Sequence, residues 1–91
     1  MAEPVDEYRV TRHAIVEIER RGIEKTVLLR VLAAPEQRYT LRAGREVLQS
    51  RISFAGKAYL VRVFVDVDGQ PADIVTVYRT SKIAKYWRAE P

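Results

Sequence analysis

The chain has 91 residues, enough for one domain built around a single modest core. It contains no cysteine, which excludes disulfide frameworks and thiolate metal sites, and no apolar run approaches the roughly 18 residues needed to span a membrane. Sixteen lysines and arginines oppose 12 acidic residues, for a net charge of +4 at pH 7. This excess favours a polyanionic partner, either nucleic acid or an acidic protein segment, and the composition fits a cytoplasmic location.

The N-terminal residues divide into a tail and the start of a domain. Residues 1–7 are predicted to form a flexible acidic tail, because they carry three acids, no base and a proline. Residues 8–88 are predicted to form a single domain, which opens with a candidate short strand at Tyr8–Val10. Thr11 then suits the N-cap of a helix that Gly22 ends, since glycine readily adopts the left-handed conformation found after helices.

Apolar spacing predicts two helices in succession. In the first helix, Ala14, Ile15 and Ile18 fall on one face, which is expected to pack on the core. A second helix is predicted over residues 24–34, and Pro35 ends it. Its apolar stripe comprises Val27, Leu28, Val31 and Leu32.

Four strand-like segments follow the helices and are separated by turns that contain glycine. They span residues 37–41, 45–54, 57–67 and 73–79. Strands joined by short turns pair as antiparallel hairpins. The sequence therefore predicts an α+β fold in which two N-terminal helices pack on a three- to four-stranded antiparallel sheet and a short C-terminal helix follows.

The two faces of this sheet differ in composition. The valine-rich face is expected to pack on the helices. The opposite face, here called the mixed face, combines Arg51, Arg62, Thr76 and Tyr78 with Leu60, Phe64 and Ile74. A solvated sheet face is normally more polar, so the mixed face is expected to be covered in part by the C-terminal helix, by a partner or by both.

Residues 79–88 carry four cations, no acid and two aromatic residues. Cations interleaved with rings suit a nucleic-acid strand, because the charges bind phosphates and the rings stack on bases. The alternative is a short basic helix that docks Ile83 and Trp87 on the core and exposes its lysines. The cations are Arg79, Lys82, Lys85 and Arg88.

If neighbouring strands pair, Arg51, Arg62 and Tyr78 converge with these C-terminal cations on one anion-binding surface. Arginine and lysine would stabilise a phosphate in a transition state, and tyrosine or lysine would move protons. The alternative is structural: the arginines would pair across strands with Asp66 and Glu46.

His13 is the single histidine of the sequence and falls in the first turn of the predicted first helix. Histidine titrates near neutral pH, which makes His13 a candidate general base; the alternative is an ordinary surface residue of the helix. The sequence contains no metal-ligand spacing, phosphate-cradling glycine loop or nucleophile elbow, so neither a metal nor a cofactor is expected.

Six short segments, in order, form a recognisable pattern over residues 8–88. They are Thr-Arg-His-Ala at 11–14, Glu-Arg-Arg-Gly-Ile at 19–23, Val-Leu-Ala-Ala-Pro-Glu at 31–36, Gly-Arg at 44–45, Val-Asp at 65–66 and Val-Thr-Val-Tyr-Arg-Thr-Ser-Lys at 75–82. This pattern resembles a family of small bacterial proteins near the BrnT-like branch of the RelE/ParE toxin superfamily.

The resemblance implies a toxin-like component of a type II toxin–antitoxin system that pairs with a small antitoxin protein. RelE-like members cut messenger RNA without a metal, often on the ribosome, whereas ParE-like members inhibit DNA gyrase. The expected function is therefore RNA or ribosome binding, with metal-independent endoribonuclease activity left open. The alternative is a non-enzymatic protein that inhibits gyrase or another topoisomerase, or that only binds an antitoxin. No membrane partner is expected, and the oligomeric state is open.

The residue patterns and the resemblance together give the candidate site residues. Candidate catalytic residues are His13, Arg62, Arg79, Lys82 and Lys85. Candidate nucleic-acid-binding residues are Arg12, Arg45, Arg51, Tyr78, Tyr86 and Arg88.

Overall fold

The computed structural model describes residues 2–89 of the chain. In chain order its elements are β1 (Tyr8–Val10), α1 (Arg12–Arg20), α2 (Lys25–Ala33), β2 (Gln37–Arg42), β3 (Arg45–Phe54), β4 (Lys57–Asp66), β5 (Ala72–Thr80) and α3 (Ile83–Tyr86). The predicted α+β class is confirmed. Within the described residues, no helix is both long enough and apolar enough to cross a membrane.

The strands form one five-stranded sheet in the order β1-β5-β4-β3-β2. β2 to β5 pair as antiparallel neighbours, but β1 pairs in parallel with β5. The predicted three- to four-stranded antiparallel sheet was therefore wrong in strand number and in type. Thr11 fixes the additional strand, because its amide and its hydroxyl both donate to the carbonyl oxygen of Ile74, at 3.1 and 2.8 Å.

The predicted ends of both N-terminal helices agree with the structure to within about a residue. The Thr11 hydroxyl accepts a hydrogen bond from the Ala14 amide at 3.3 Å, and Gly22 follows α1 with a φ of +63°. Such a left-handed φ costs glycine little and other residues more. Pro35 lies just beyond α2, whose predicted apolar stripe faces the core.

The face of α1 that packs on the core agrees with the prediction at Ala14 and Ile18 but not at Ile15. Ile15 is 46% exposed, whereas Glu17 is buried. The Glu17 carboxylate lies 3.2 Å from Arg21 Nη2 and 3.7 Å from Arg20 Nη2. These ion pairs offset the cost of burying the Glu17 charge. Glu17 is therefore buried, although the apolar pattern of the helix placed it on the solvent side.

Helices α1 and α2 cover the valine-rich face of the sheet, as predicted, with α1 on β5 and α2 on β3 and β4. Burying these apolar side chains is the main source of stability, worth about 1.5–3 kcal/mol for each large side chain. The largest members of this core include Leu28, Val31, Leu32, Leu48, Val61, Val63, Val65, Ile74 and Val77.

A bulge in β5 changes which face one predicted residue occupies. Phe64 pairs with Thr76 and Val65 pairs with Ile74, so Val75 has no partner in β4. One extra residue reverses the alternation of side chains along a strand. Ile74 is therefore fully buried in the core with the helices, and its predicted place on the mixed face was wrong.

The predicted tail at residues 1–7 makes defined contacts with the domain. Met1 lies outside the described residues. The Val5 amide donates to the carbonyl oxygen of Leu32 at 2.9 Å, and the Val5 side chain is buried in the core. The Glu7 carbonyl accepts from the Ala72 amide at 3.1 Å. Residues 2–7 therefore lie against the domain in this structure, while their predicted flexibility stays a prediction.

Candidate anion-binding site

The C-terminal segment, residues 82–89, crosses the mixed face of the sheet. The Gln49 side-chain amide donates to the Tyr86 carbonyl at 3.1 Å, and Gln37 exchanges two hydrogen bonds with the backbone of Arg88, at 2.6 and 3.1 Å. Side chains from β3 and β2 thus satisfy backbone groups at the end of the short helix α3 and just after it. The chain itself supplies part of the cover predicted for the mixed face.

Arg62 lies beneath this segment and is the best-enclosed cation of the mixed face, only 6% exposed. Its Nε donates to Gln49 Oε1 at 2.9 Å and its Nη1 donates to the Tyr78 hydroxyl at 2.6 Å. Its Nη2 donates to the Tyr39 hydroxyl. All three acceptors are neutral.

Aromatic rings enclose the same guanidinium. The Cζ atom of Arg62 lies 4.3 Å from the ring centroid of Tyr86, 5.2 Å from that of Phe64 and 5.7 Å from that of Tyr78. Each ring presents a negative face to the cation. These contacts stabilise the charge in part, but rings do not replace a carboxylate.

Arg62 has no ion pair with any acidic residue between positions 2 and 89. Burying an unpaired charge is costly, so the presence of one here points to a role other than stability. Three of its five N–H groups are used, and two have no acceptor among the described residues. The hydroxyls of Tyr39 and Tyr78 accept from Arg62 and keep their own protons to donate.

The two unused N–H groups of Arg62 and the two tyrosine hydroxyl protons are donors of the kind that bind an oxyanion such as a phosphodiester oxygen. We call Arg62, Tyr39, Tyr78 and Gln49 the Arg62 site. Of the predicted residues, Tyr78, Tyr86 and Arg88 lie with Arg62 in or above this site, with Arg88 stacked 3.9 Å from the ring centroid of Tyr39. Tyr39 and Gln49 were not predicted as site residues. Tyr39 could have been found from the alternation of β2, because residues two apart on a strand, such as Gln37 and Tyr39, face the same side of the sheet.

The C-terminal lysines are exposed and make no contact with Arg62 itself. Lys82 and Lys85 are exposed, whereas Ile83 and Trp87 are half-buried against the domain. Lys85 lies 5.3 Å from the ring centroid of Tyr86. This agrees with the structural alternative for the segment, a basic helix that docks through its apolar residues. The lysines are placed to attract a polyanion but do not contact Arg62.

Arg51 is neutralised by an acid that was not predicted. It donates to both carboxylate oxygens of Glu36, at 3.1 and 2.9 Å, and stacks 4.2 Å from the ring centroid of Trp87. The hydrogen bond from Arg51 is the main reason that the pKa of Glu36 is lowered. Arg51 therefore holds the C-terminal segment in place and has little charge left for a phosphate.

Arg45 is neutralised in the same way, as the structural alternative predicted. It donates to both carboxylate oxygens of Asp66, at 2.6 and 3.0 Å, and this contact lowers the pKa of Asp66. Glu46, the other acid of that alternative, pairs with Arg38. Arg45 thus lies at the far end of β3 in a closed pair, and the structure does not bring it to the Arg62 site.

These two carboxylates predict a small acid-dependent loss of stability. Because the pKa values of Glu36 and Asp66 are lowered in the folded chain, their contribution is complete above the ordinary carboxyl pKa, about 4. It is lost as the pH falls through the lower folded-state values. We expect Glu36→Gln to flatten the fall in urea midpoint below about pH 4. An unchanged profile would contradict the pairing, and Glu3→Gln serves as a control.

Arg79 lies on the opposite side of the sheet from Arg62. Tyr78 pairs with Arg62, and the next residue, Arg79, pairs with Val61, whose side chain is in the core with the helices. Successive side chains of a strand point to opposite faces. The prediction that Arg79 joins Arg62 in one site was therefore wrong.

His13 and Arg12 are also separate from the Arg62 site. Both lie in the first turn of α1, on the helical side of the sheet, and both are exposed. His13 Nε2 is 3.4 Å from Glu17 Oε1 of the same helix. Among residues 2–89, no three acidic or histidine side chains lie close enough together to hold a metal ion.

One unpredicted residue links α1 to the edge of the mixed face. Arg21 pairs with Glu17 and donates from Nη1 to the Val77 carbonyl of β5 at 2.9 Å. Its Cζ atom lies 5.8 Å from the ring centroid of Tyr78, which also contacts Arg62. Arg21 therefore places a second cation, besides Arg62, beside Tyr78 at the edge of β5.

A scan against protein-family models and searches of curated proteins and of solved structures found no match for the chain. The relationship to the RelE/ParE superfamily therefore stays a prediction from the segments quoted above, and the Arg62 site itself is the firmer basis for a function.

Proposed function

We propose that the chain is a toxin-like member of a type II toxin–antitoxin pair and that it binds RNA through the Arg62 site. The observation that carries the proposal is a buried arginine with no acidic partner among residues 2–89 and with free donors beside two tyrosine hydroxyls. An RNA phosphate would supply the missing negative charge. The exposed Lys82, Lys85 and Arg88 would attract the strand.

Access to Arg62 requires the C-terminal segment to move. Tyr86 lies over the guanidinium, and the backbone of Tyr86 and Arg88 is bonded to Gln49 and Gln37. Opening the segment breaks these hydrogen bonds together with the ring contacts of Tyr86, Trp87 and Arg88. Local openings of this kind cost less than unfolding of the whole domain. A base that stacks where Tyr86 now stacks would replace its contact with Arg62.

Binding is proposed ahead of cleavage. None of the described side chains that contact Arg62 is a carboxylate or an imidazole, the usual general bases, and His13 lies on the other side of the sheet. Tyrosine and arginine are suited to holding a phosphate and to stabilising its charge. Cleavage would need a proton acceptor that RNA, a ribosome or a shifted lysine brings to the site.

This observation also supports a second candidate function, a non-enzymatic protein that inhibits gyrase or another topoisomerase, or that only binds an antitoxin. An acidic partner segment would then neutralise Arg62. The two candidates differ in cells that express the protein. Fragmented transcripts support RNA cleavage, whereas intact transcripts with DNA damage support topoisomerase inhibition.

The direct test is binding of a labelled oligouridine, followed by fluorescence anisotropy in 0.1 M salt. We expect Arg62→Gln to weaken binding at least tenfold, since charged contacts of this kind are worth about 1.5–3 kcal/mol. Arg9→Gln is the matched control: it removes the same charge, but Arg9 is exposed and paired with Asp73 at 3.0 Å. Expression of the Arg9→Gln variant should still arrest growth, whereas expression of Arg62→Gln should arrest it less.

Equal binding by the wild type and Arg62→Gln would remove the Arg62 site as the basis for RNA recognition. If the folded protein binds no RNA even at low salt, RNA is excluded as the ligand. The acidic partner segment of the second candidate function would then be the remaining candidate.

A further inference from the structure

Four residues near the β3–β4 turn form a second cationic cluster on the helical side of the sheet. Arg79 Cζ lies 4.5 Å from the ring centroid of Phe54 and 5.2 Å from that of Tyr59. Lys57 Nζ lies 5.4 Å from the Tyr59 centroid. The two rings pack edge to face, 5.6 Å apart, which gives the cations a rigid platform. We call these residues the Arg79 site.

Arg79 differs in its partners from most of the other arginines of the sheet; Arg42 also lacks a hydrogen bond, but it lies near enough to Asp66 to lower the pKa of that carboxyl. Five of them donate to acidic or neutral side chains: Arg9, Arg38, Arg45, Arg51 and Arg62. Arg79 makes no hydrogen bond or ion pair with any residue that the structure describes. Stacking on two rings orients its guanidinium plane and leaves its N–H groups free to bind an anion.

Lys57 adds a second charge without a partner. It is exposed and forms no ion pair within residues 2–89. Arg79 and Lys57 both lie against the Tyr59 ring, and an anion beside them relieves the repulsion between their positive charges. The cluster therefore favours binding of a ligand with at least one negative charge.

The position of the Arg79 site relates it to the Arg62 site. Tyr78 and Arg79 are consecutive residues of β5 and face opposite sides of the sheet. β1 pairs with β5 only at Ala72, Asp73 and Ile74, so residues 75–80 have no strand neighbour on that side. A flexible chain of phosphates can therefore pass around this edge and contact both sites.

We infer that the Arg79 site binds a second phosphate of a single-stranded nucleic acid whose path turns around the edge of β5 from the Arg62 site. The inference rests on the proposed function, because it extends the same ligand. Cations interleaved with aromatic rings are the usual features of grooves that bind single strands, whereas duplex RNA is too stiff to turn around one strand edge.

The test compares the salt dependence of oligouridine binding for Arg79→Gln, Lys57→Gln and the double variant. Each phosphate contact with a single strand contributes a slope of about 0.7 in log K against log salt. We expect each single substitution to lower the slope by about 0.7 and the affinity about fivefold in 0.1 M salt. The double variant should lower affinity about 25-fold.

Two controls separate charge from folding. Arg9→Gln removes one charge that is already paired with Asp73, so its slope should match that of the wild type. The charge-conserving pair Arg79→Lys with Lys57→Arg should retain the wild-type slope. Circular dichroism melts establish that each variant is folded before its affinity is compared.

The outcomes distinguish this inference from the proposed function. If Arg62→Gln weakens RNA binding but the folded double variant keeps the wild-type slope, the Arg79 site is overturned and the Arg62 site stands. If the double variant loses binding to an acidic polypeptide such as polyglutamate but not to oligouridine, the ligand is a protein and the inference is also overturned. Loss of about 0.7 in slope per cation supports it.

Discussion

Replacing Arg62 by methionine is expected to leave the free energy of unfolding within about 1 kcal/mol of the wild-type value while it ends RNA binding. Methionine fills a similar volume and adapts to irregular space, and it removes a desolvated cation that no acidic residue between positions 2 and 89 neutralises. The gain is offset by the loss of three hydrogen bonds, of which the one to the buried Gln49 side chain costs about 1–3 kcal/mol.

Arg62→Lys is the informative comparison with Arg62→Met, because it keeps the positive charge but loses the planar guanidinium with its five N–H donors. A lysine reaches fewer of the acceptors Gln49, Tyr39 and Tyr78, and its compact ammonium is more strongly hydrated than a guanidinium. We expect it to destabilise the fold by at least about 2 kcal/mol more than methionine. Urea denaturation followed by circular dichroism measures both. A severe loss with methionine and none with lysine would show that the charge itself supports the fold.

Replacing Leu48 by alanine is expected to lower the free energy of unfolding by about 3 kcal/mol, within the 2–5 kcal/mol range for such cavities. Leu48 is fully buried between the sheet and the helices. In a domain of this size the loss should lower the melting temperature by on the order of 15 °C. Leu41→Ala makes the same chemical change in β2, but Leu41 is 48% exposed, so we expect less than about 0.5 kcal/mol.

Calorimetry on the two leucine variants checks this prediction. Similar melting temperatures for both would mean that the helices do not close over β3 in solution. Gln49 follows Leu48 in β3 and points to the opposite face, where it contacts the C-terminal segment. That result would therefore also mean that β3 does not hold Gln49 in this position.

Local chemistry made much of the fold predictable from the sequence. Thr11 and Gly22 mark helix ends because capping and left-handed φ depend on neighbouring residues alone. The face assignments of β3 and β4 follow from strict alternation. The pairing of β1 was beyond this reasoning, since Tyr8 and its partner Ala72 are distant in sequence and a parallel pair has no turn signal.

The candidate site was predictable where it depended on alternation and not where it depended on contacts. Arg62 and Tyr78 were expected to face the same way, and they do. Arg79 was grouped with them by nearness in sequence, although one step along a strand reverses the face. The pairing of Arg51 with Glu36 requires knowing which loop ends beside β3, and residue spacing holds no information about that.

The parallel pairing of β1 with β5 has a consequence for synthesis of the protein. Arg9 and Asp73 are 64 positions apart, so at about 5–20 residues per second β1 waits roughly 3–13 s for its partner to be made. Closing so long a loop also slows folding. Tyr78 is supplied by β5 and Tyr86 comes later still. A partly synthesised chain therefore lacks a finished Arg62 site, and any RNA-directed activity begins only once nearly the whole domain has been translated.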